Sequence, residues 1–443
     1  MELGTHALIH APSLWALTIL LLYLVMIFRG YRLLPSCVAA CILGAVLCGL
    51  SPAVVAKMIS KGLGSFLGLI GLIIMLGSGL GEVMSRTGVS QSIVVWITNK
   101  IGVNSEKKGI VALIICSTVI CGLLGTLAGG NAVIAPIIIP IVAAVGITPS
   151  TVGAVFQSAG ETGLIWGPLT PPVVALMSVT GLSYWQMMKW AALPFGIIWL
   201  VVIFFAALKI QKMTKSWDSY KGIDADDVKA FIPTDMQKRT TLVFLLVFIA
   251  SIVYALATKQ KTTFVPVIMI FVALVTGLVG RMHMNDIFKG MASGMGRMSE
   301  LFLAFIFLDV FINMIQLGGG FKALSVVLLK MLKYGGRPML LMVGSFVGAF
   351  GVDGAAVAQI QITHELFYPA VKAMGLPMEM WAIGLIAASR ITTSVYPTGN
   401  MVSQMGIAES DNLKAMLIGG WSVSIAALVY IMFWAFIGEK LFF

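Results

Sequence analysis

Long apolar runs separated by short polar breaks fill most of the chain, and their spacing repeats. In the first half the runs lie near 14–28, 34–50 and 63–84, and in the second near 241–257, 263–280 and 298–316. Each is close to the length of about 20 apolar residues that a helix needs to cross a bilayer. A shorter amphipathic helix follows each set, near 89–101 and near 321–334. Next comes a segment too long for one crossing, interrupted in its middle by small residues. These segments are "KGIVALIICSTVICGLLGTLAGGNAVIAPIIIPIVAAVG" and "GRPMLLMVGSFVGAFGVDGAAVAQIQITHELFYPAVKAMG". The interruptions, "GTLAGGNA" and "GVDGAA", predict re-entrant hairpins whose tips stop near the membrane midplane. Non-helical backbone is tolerated at that depth only where protein or a water-filled cavity receives it. In the first half the last two spans fall near 150–181 and 186–208.

The two halves match residue by residue as well as run by run. Pro140 and Pro369, Gly146 and Gly375, Pro168 and Pro397, and Lys108 and Arg337 all pair at an offset of 229. "KGLGSFLG" at 61–68 answers "KGMASGMG" at 289–296 at an offset of 228. Five crossings per half, an odd number, turn the second half upside down relative to the first, which is the inverted-repeat design of secondary transporters. The fold class expected is therefore an all-α polytopic membrane protein. It has two inverted repeats, each with five spans including a broken helix, plus a re-entrant hairpin. The repeats are 1–208 and 241–443, joined by a charged linker at 209–240. A transport domain is expected from about 105–181 and 335–407, with the remaining spans as scaffold.

Composition agrees with the pattern. Hydrophobic residues make up 59% and charged ones 11%, whereas a soluble domain carries about 25% charged; the mean hydropathy is +1.00. The net charge of +11 does not signal nucleic acid, because the basic residues are scattered beside apolar runs, as the positive-inside rule requires. The linker alone holds seven Lys or Arg, so it belongs in the cytoplasm with both termini on the outer side. The five cysteines, Cys37, Cys41, Cys48, Cys116 and Cys121, sit in apolar stretches without metal spacing and read as small core residues. The N-terminal stretch lacks the basic region and cleavage site of a removed signal peptide. The address is the inner membrane, multi-pass.

The polar islands carry the chemistry. At the offset of 229, "QSAGETGLIWGPLTPPVV" (157–174) overlays "IAASRITTSVYPTGNMVS" (386–403). Each span is broken by Gly and Pro, and each has one charge shortly before the break, Glu161 in one and Arg390 in the other. Proline removes a helical hydrogen bond and clashes with the preceding turn, so each span splits into half-helices with unpaired end groups. Their N-termini attract anions and their loose carbonyls can ligate cations. Arg390 is the expected receptor for a substrate carboxylate, with Glu161 as proton carrier or as the charge that orients it. Ser158, Thr162, Thr170, Thr392, Thr393, Ser394, Thr398 and Asn400 are expected around the substrate. Asn131, Asp353, Gly130, Gly354 and Thr126, at the hairpin tips, are expected around a coupling cation. Asp309 is expected to serve as a proton site or to pair with Arg297 or a lysine of an amphipathic arm helix, and His364 to be structural. No catalytic constellation, phosphate loop or cofactor motif is legible, so the chain is not read as an enzyme and no cofactor is expected.

These motifs resemble the ion transporter superfamily of elevator-type secondary carriers, which includes gluconate permeases, the large membrane subunit of tripartite periplasmic transporters, and divalent-anion sodium symporters. The similarity covers nearly the whole layout. It is most specific in "GPLTPPVVALMSVTGLSYWQMMKWAALPFG", which is similar to the broken helix and following span of the first two groups. The Ser-Asn-Thr triplet of the divalent-anion symporters is absent, and so is the usual tip motif of the tripartite subunit. The resemblance implies an elevator mechanism, a homodimer and an organic-anion substrate, with no soluble binding protein implied. A symporter of a small organic carboxylate, driven by Na⁺ or H⁺, is the function expected; a cation/proton antiporter is the alternative.

Overall fold

A computed structural model of the protein describes residues 3–220, 231–258, 260, 262–332, 335–349 and 356–442. The first half begins with α1 (Thr18–Phe28), α2 (Leu33–Leu47), α3 (Pro52–Leu63), α4 (Phe66–Arg86) and α5 (Val89–Ile101). A hairpin of α6 (Glu106–Leu124) and α7 (Leu127–Ala143) follows, and then a span split into α8 (Pro149–Trp166) and α9 (Pro171–Thr180). The half closes with α10 (Tyr184–Met187), a π-turn, and α11 (Leu193–Thr214).

The second half runs through the same order. It has α12 (Asp235–Ala257), α13 (Val265–Val279), α14 (Met284–Gly296), α15 (Ser299–Leu317) and α16 (Gly320–Leu332). The second hairpin pair is α17 (Gly336–Ala349) and α18 (Ala356–Met374), and the second split span is α19 (Met378–Val395) with α20 (Gly399–Ile407). Then come α21 (Leu413–Phe433) and α22 (Glu439–Phe442). Packing partners exchange between the halves: α2 lies on α15 as α13 lies on α4, and α7 meets α20 as α18 meets α9. Such swapped pairs are what a two-fold relation between the halves produces.

The chain is an all-helical integral membrane protein. Among the described residues seven helices are long and apolar enough to cross a bilayer, and the α8–α9 pair, bent by 45°, makes an eighth if counted as one span. The outer helices turn apolar stripes outward, where lipid replaces water; Leu193, Ile197, Val201 and Phe205 of α11 are all exposed at a spacing of four. The reverse holds inside. Every residue from Pro149 to Gly163 in α8 and from Met380 to Ser394 in α19 is buried, polar ones included.

Three details differ from the pattern-based reading. Two further amphipathic helices, α3 and α14, stand before the Gly-rich spans; apolar residues at helical spacing share them with Lys57 and Lys61 in one and Asp286 and Lys289 in the other. The tip at "GTLAGGNA" is much tighter than its eight letters imply. Gly125, at φ 68°, ends α6 and Thr126 starts α7, so "LAGGNA" is already helical. A left-handed residue at a helix end suits glycine. Finally, α6 is by length and composition a possible crossing; its hairpin character comes from where its tip lies, among the helix breaks described below. The tip between α17 and α18, including "GVD" and Gly354, falls outside the described residues.

Candidate functional site

Both breaks are built from capping chemistry. At the first, Thr170 Oγ1 donates to the carbonyls of Leu164 (2.5 Å) and Gly167 (2.7 Å), satisfying the loose end of α8. Pro171 and Pro172 then open α9, where their missing N–H groups remove no helical bond. At the second, Thr398 caps α20 by accepting from the Met401 N–H at 3.2 Å. The hairpin leans on α8 through small residues. A Cβ on Gly163 would lie 2.2 Å from the Thr118 carbonyl oxygen, so only glycine allows that approach.

A cavity of about 140 Å³ opens where these pieces meet. The α6–α7 tip contributes Gly125, Thr126, Leu127 and Ala128, and the first broken span contributes Glu161, Leu164, Pro171 and Pro172. From the second half come Arg390, Asn400 and the first described residues of α18, Ala356 and Val357. Ile74 of α4 and Met298, Leu301 and Phe305 of the second half close it with an apolar wall. The starts of α7, α9 and α20 therefore face one space, and helix N-termini favour negative charge.

Arg390 is 2% exposed and lines this cavity. Its one side-chain hydrogen bond among the described residues runs from Nε to Ser389 Oγ at 3.4 Å. The rest of the guanidinium fork has no hydrogen-bond partner among the described residues. Glu161 is fully buried; Oε1 accepts from Gln157 Nε2 at 2.6 Å, while Oε2 has no partner among the described residues. The two charges act on one another electrostatically, yet they form no direct ion pair. Gln157 Nε2 also donates to the Thr393 carbonyl at 3.3 Å, tying the two broken spans together. Thr126 Oγ1 is a further buried oxygen without a partner among the described residues.

The residues singled out in the sequence divide accordingly. Arg390, Glu161, Asn400 and Thr126 come together in the cavity. Thr162, Thr392 and Thr393 bond to backbone carbonyls of helices, Thr162 to Ser158 (3.1 Å), Thr392 to Ala388 (3.0 Å) and Thr393 to Arg390 (2.9 Å). Ser158 is buried in α8, and Ser394 is buried with an unpartnered Oγ among the described residues. Asn131 is buried one turn into α7, not at the tip. Its amide accepts from Ser117 Oγ (2.7 Å) and donates to the Phe156 carbonyl (2.9 Å) and Gln404 Oε1 (2.7 Å). Gly130 packs tightly against Cys121. Asp353 and Gly354 lie outside the described residues. Of the described residues expected around a cation, Thr126 faces the cavity; no trio of His, Cys, Asp or Glu gathers among the described residues.

Elsewhere, Arg297 bonds Glu82 at 2.8 Å, and Asp309 instead accepts from Asn313 Nδ2 at 2.9 Å. The pairing of Asp309 with Arg297 is thus replaced by a bond within its own helix. His364 Nδ1 accepts from Trp381 Nε1 at 3.2 Å, a packing role. Reading the sequence missed the apolar wall, because nothing separates Leu301 or Phe305 from any lipid-facing residue by type. It also missed Gln157 and Gln404, each of which has a partner in the other half.

Comparison with known proteins adds the following. The chain matches the family described as "Tripartite ATP-independent periplasmic transporter, DctM component" over residues 6–437. Among solved structures it is similar to the Alcanivorax borkumensis YdaH transporter, described as having an unusual topology. The TM-score is 0.58 at 15% identity, over 86% of this chain and 88% of that one, a likeness of fold. No curated protein matches it.

Proposed function

The chain belongs to the DctM component family of tripartite ATP-independent periplasmic transporters, and from that membership we propose that it carries a small organic carboxylate across the membrane in symport with Na⁺ or H⁺. One observation supports this above the rest: a buried arginine, whose donor fork is largely unpartnered among the described residues, faces a cavity where helix N-termini meet. A guanidinium matches a carboxylate with two parallel donors. Arg390 receives the substrate carboxylate, Asn400 and Thr126 offer polar contacts beside it, and Glu161 supplies the opposing charge when the cavity is empty. The family is a transporter component, and the chain is not an enzyme.

One side of the cavity is made of hairpins and broken spans, and the other is a plain apolar side from α4 and α15. That division supports an elevator, in which the first group slides against the second. A scaffold of this kind is expected to pair with a second copy. The sequence alone implied no soluble partner, but the family is one part of a three-part periplasmic transporter. Partner components are therefore expected, including one on the periplasmic face that delivers substrate.

The test compares purified wild type with Arg390→Lys, Arg390→Ala and the Arg390→Ala/Glu161→Ala double variant, scored for thermal stabilisation by a panel of organic acids. Lysine keeps the charge and loses the fork, so binding should fall by at least ten-fold. Alanine should lose more, on the order of 2–5 kcal/mol for a buried charge-assisted contact. Strong acid binding by the folded double variant would end the role given to Arg390.

A further inference from the structure

Resting on the reading of Arg390 as anion receptor, we propose that the substrate is a small monocarboxylate with a mostly apolar body, and that Glu161 excludes a second carboxylate. Charge comes first. Among the described residues that line the cavity, Arg390 is the one basic side chain and Glu161 the one acidic side chain. One carboxylate has a fork to meet. A second would enter this cavity with no further basic side chain among the described lining residues, beside Oε2 of Glu161, which is buried and has no partner among the described residues, and like charges repel strongly at low dielectric.

The walls agree with the charges. Away from Arg390 the lining is Ile74, Leu164, Met298, Leu301, Phe305 and Val357, which suits carbon chain better than polar groups. Polar partners exist for one or two hydroxyl or carbonyl oxygens, at Thr126 Oγ1 and Asn400. The volume of about 140 Å³ also bounds the size. An apolar cavity of about 150 Å³ takes benzene, so a ligand of roughly six to eight non-hydrogen atoms fits this one on the same scale.

The test uses acids paired by number of non-hydrogen atoms and differing in charge: 2-hydroxybutyrate against malonate, and 2-hydroxyvalerate against succinate. Binding is measured by calorimetry on the full chain in lipid nanodiscs at neutral pH. The monocarboxylate of each pair should bind at least ten-fold tighter. Glu161→Gln should narrow that gap at least three-fold, by relieving the second carboxylate, which a merely structural glutamate would not do. A gap unchanged in a folded Glu161→Gln protein overturns the part given to Glu161. Equal or tighter binding of malonate or succinate to wild type overturns the substrate class, and its loss in Arg390→Ala would leave the receptor intact. If none of the four acids binds, or if Arg390→Ala binds them like wild type, the receptor reading falls and takes this inference with it.

Discussion

At Asn131 both ends of the side-chain amide are used inside the protein, one by Ser117 and the other by the Phe156 carbonyl and Gln404. The last contact crosses from the first half to the second. Asn131→Leu keeps the branching and the number of side-chain heavy atoms and strands Gln404 and Ser117. Leaving a buried polar group unsatisfied costs about 1–3 kcal/mol, so the unfolding temperature should drop by several degrees. Cation dependence of transport should stay as in wild type wherever the variant folds, since the amide is already occupied. A changed sodium or pH dependence at normal stability would assign Asn131 to the ion site after all.

Among elements, the hairpin and the broken span are expected to move as one body because α6 and α8 touch at backbone distance. Gly163 is the point of closest approach, with the Thr118 carbonyl 2.2 Å from where a Cβ would stand. Gly163→Ala must force the two helices apart, and overpacking of this kind costs typically about 1–3 kcal/mol. The displacement runs straight to the cavity, since Glu161 lies in the same turn of α8 and Thr126 at the end of the hairpin. Substrate affinity should therefore fall by more than ten-fold even in the fraction that folds. Wild-type affinity in a folded Gly163→Ala protein would show that the hairpin and α8 are not rigidly coupled.

For the whole molecule, the sliding of one group of helices on another is the claim to test. Gly81 of α4 faces the Leu124 side chain at the end of α6, with 3.2 Å between an added Cβ and Leu124 Cδ1. A Gly81→Cys/Leu124→Cys pair, made with the five buried native cysteines replaced by alanine, can be joined by a short bifunctional reagent. Joined protein should bind substrate and fail to transport it; breaking the link should restore transport. Full transport with the link present in every molecule refutes a sliding body. Orientation is checked separately: Lys215→Cys, within the basic linker, should react with an impermeant reagent only from the cytoplasmic side.

The sequence by itself determined that the chain lies in a membrane, that its two halves repeat, and that a Glu and an Arg sit before two paired breaks. Those facts are carried by local signals: apolar runs of crossing length, an offset shared by several prolines and glycines, and charges too costly to bury without a purpose. Reading types and spacing also picked out Arg390, Glu161, Asn400 and Thr126, which the fold gathers in one cavity. It could not separate them from Thr392 or Asn131. A hydroxyl or amide in an apolar helix is equally suited to a ligand and to a neighbouring carbonyl, and only the packing of α7 on α20 and α8 decides which it meets. The apolar wall had no signature at all. Lipid and cavity both ask for Leu and Phe, so which of those residues line the cavity was decided by tertiary structure, which brings Leu301 and Phe305 of α15 to its wall.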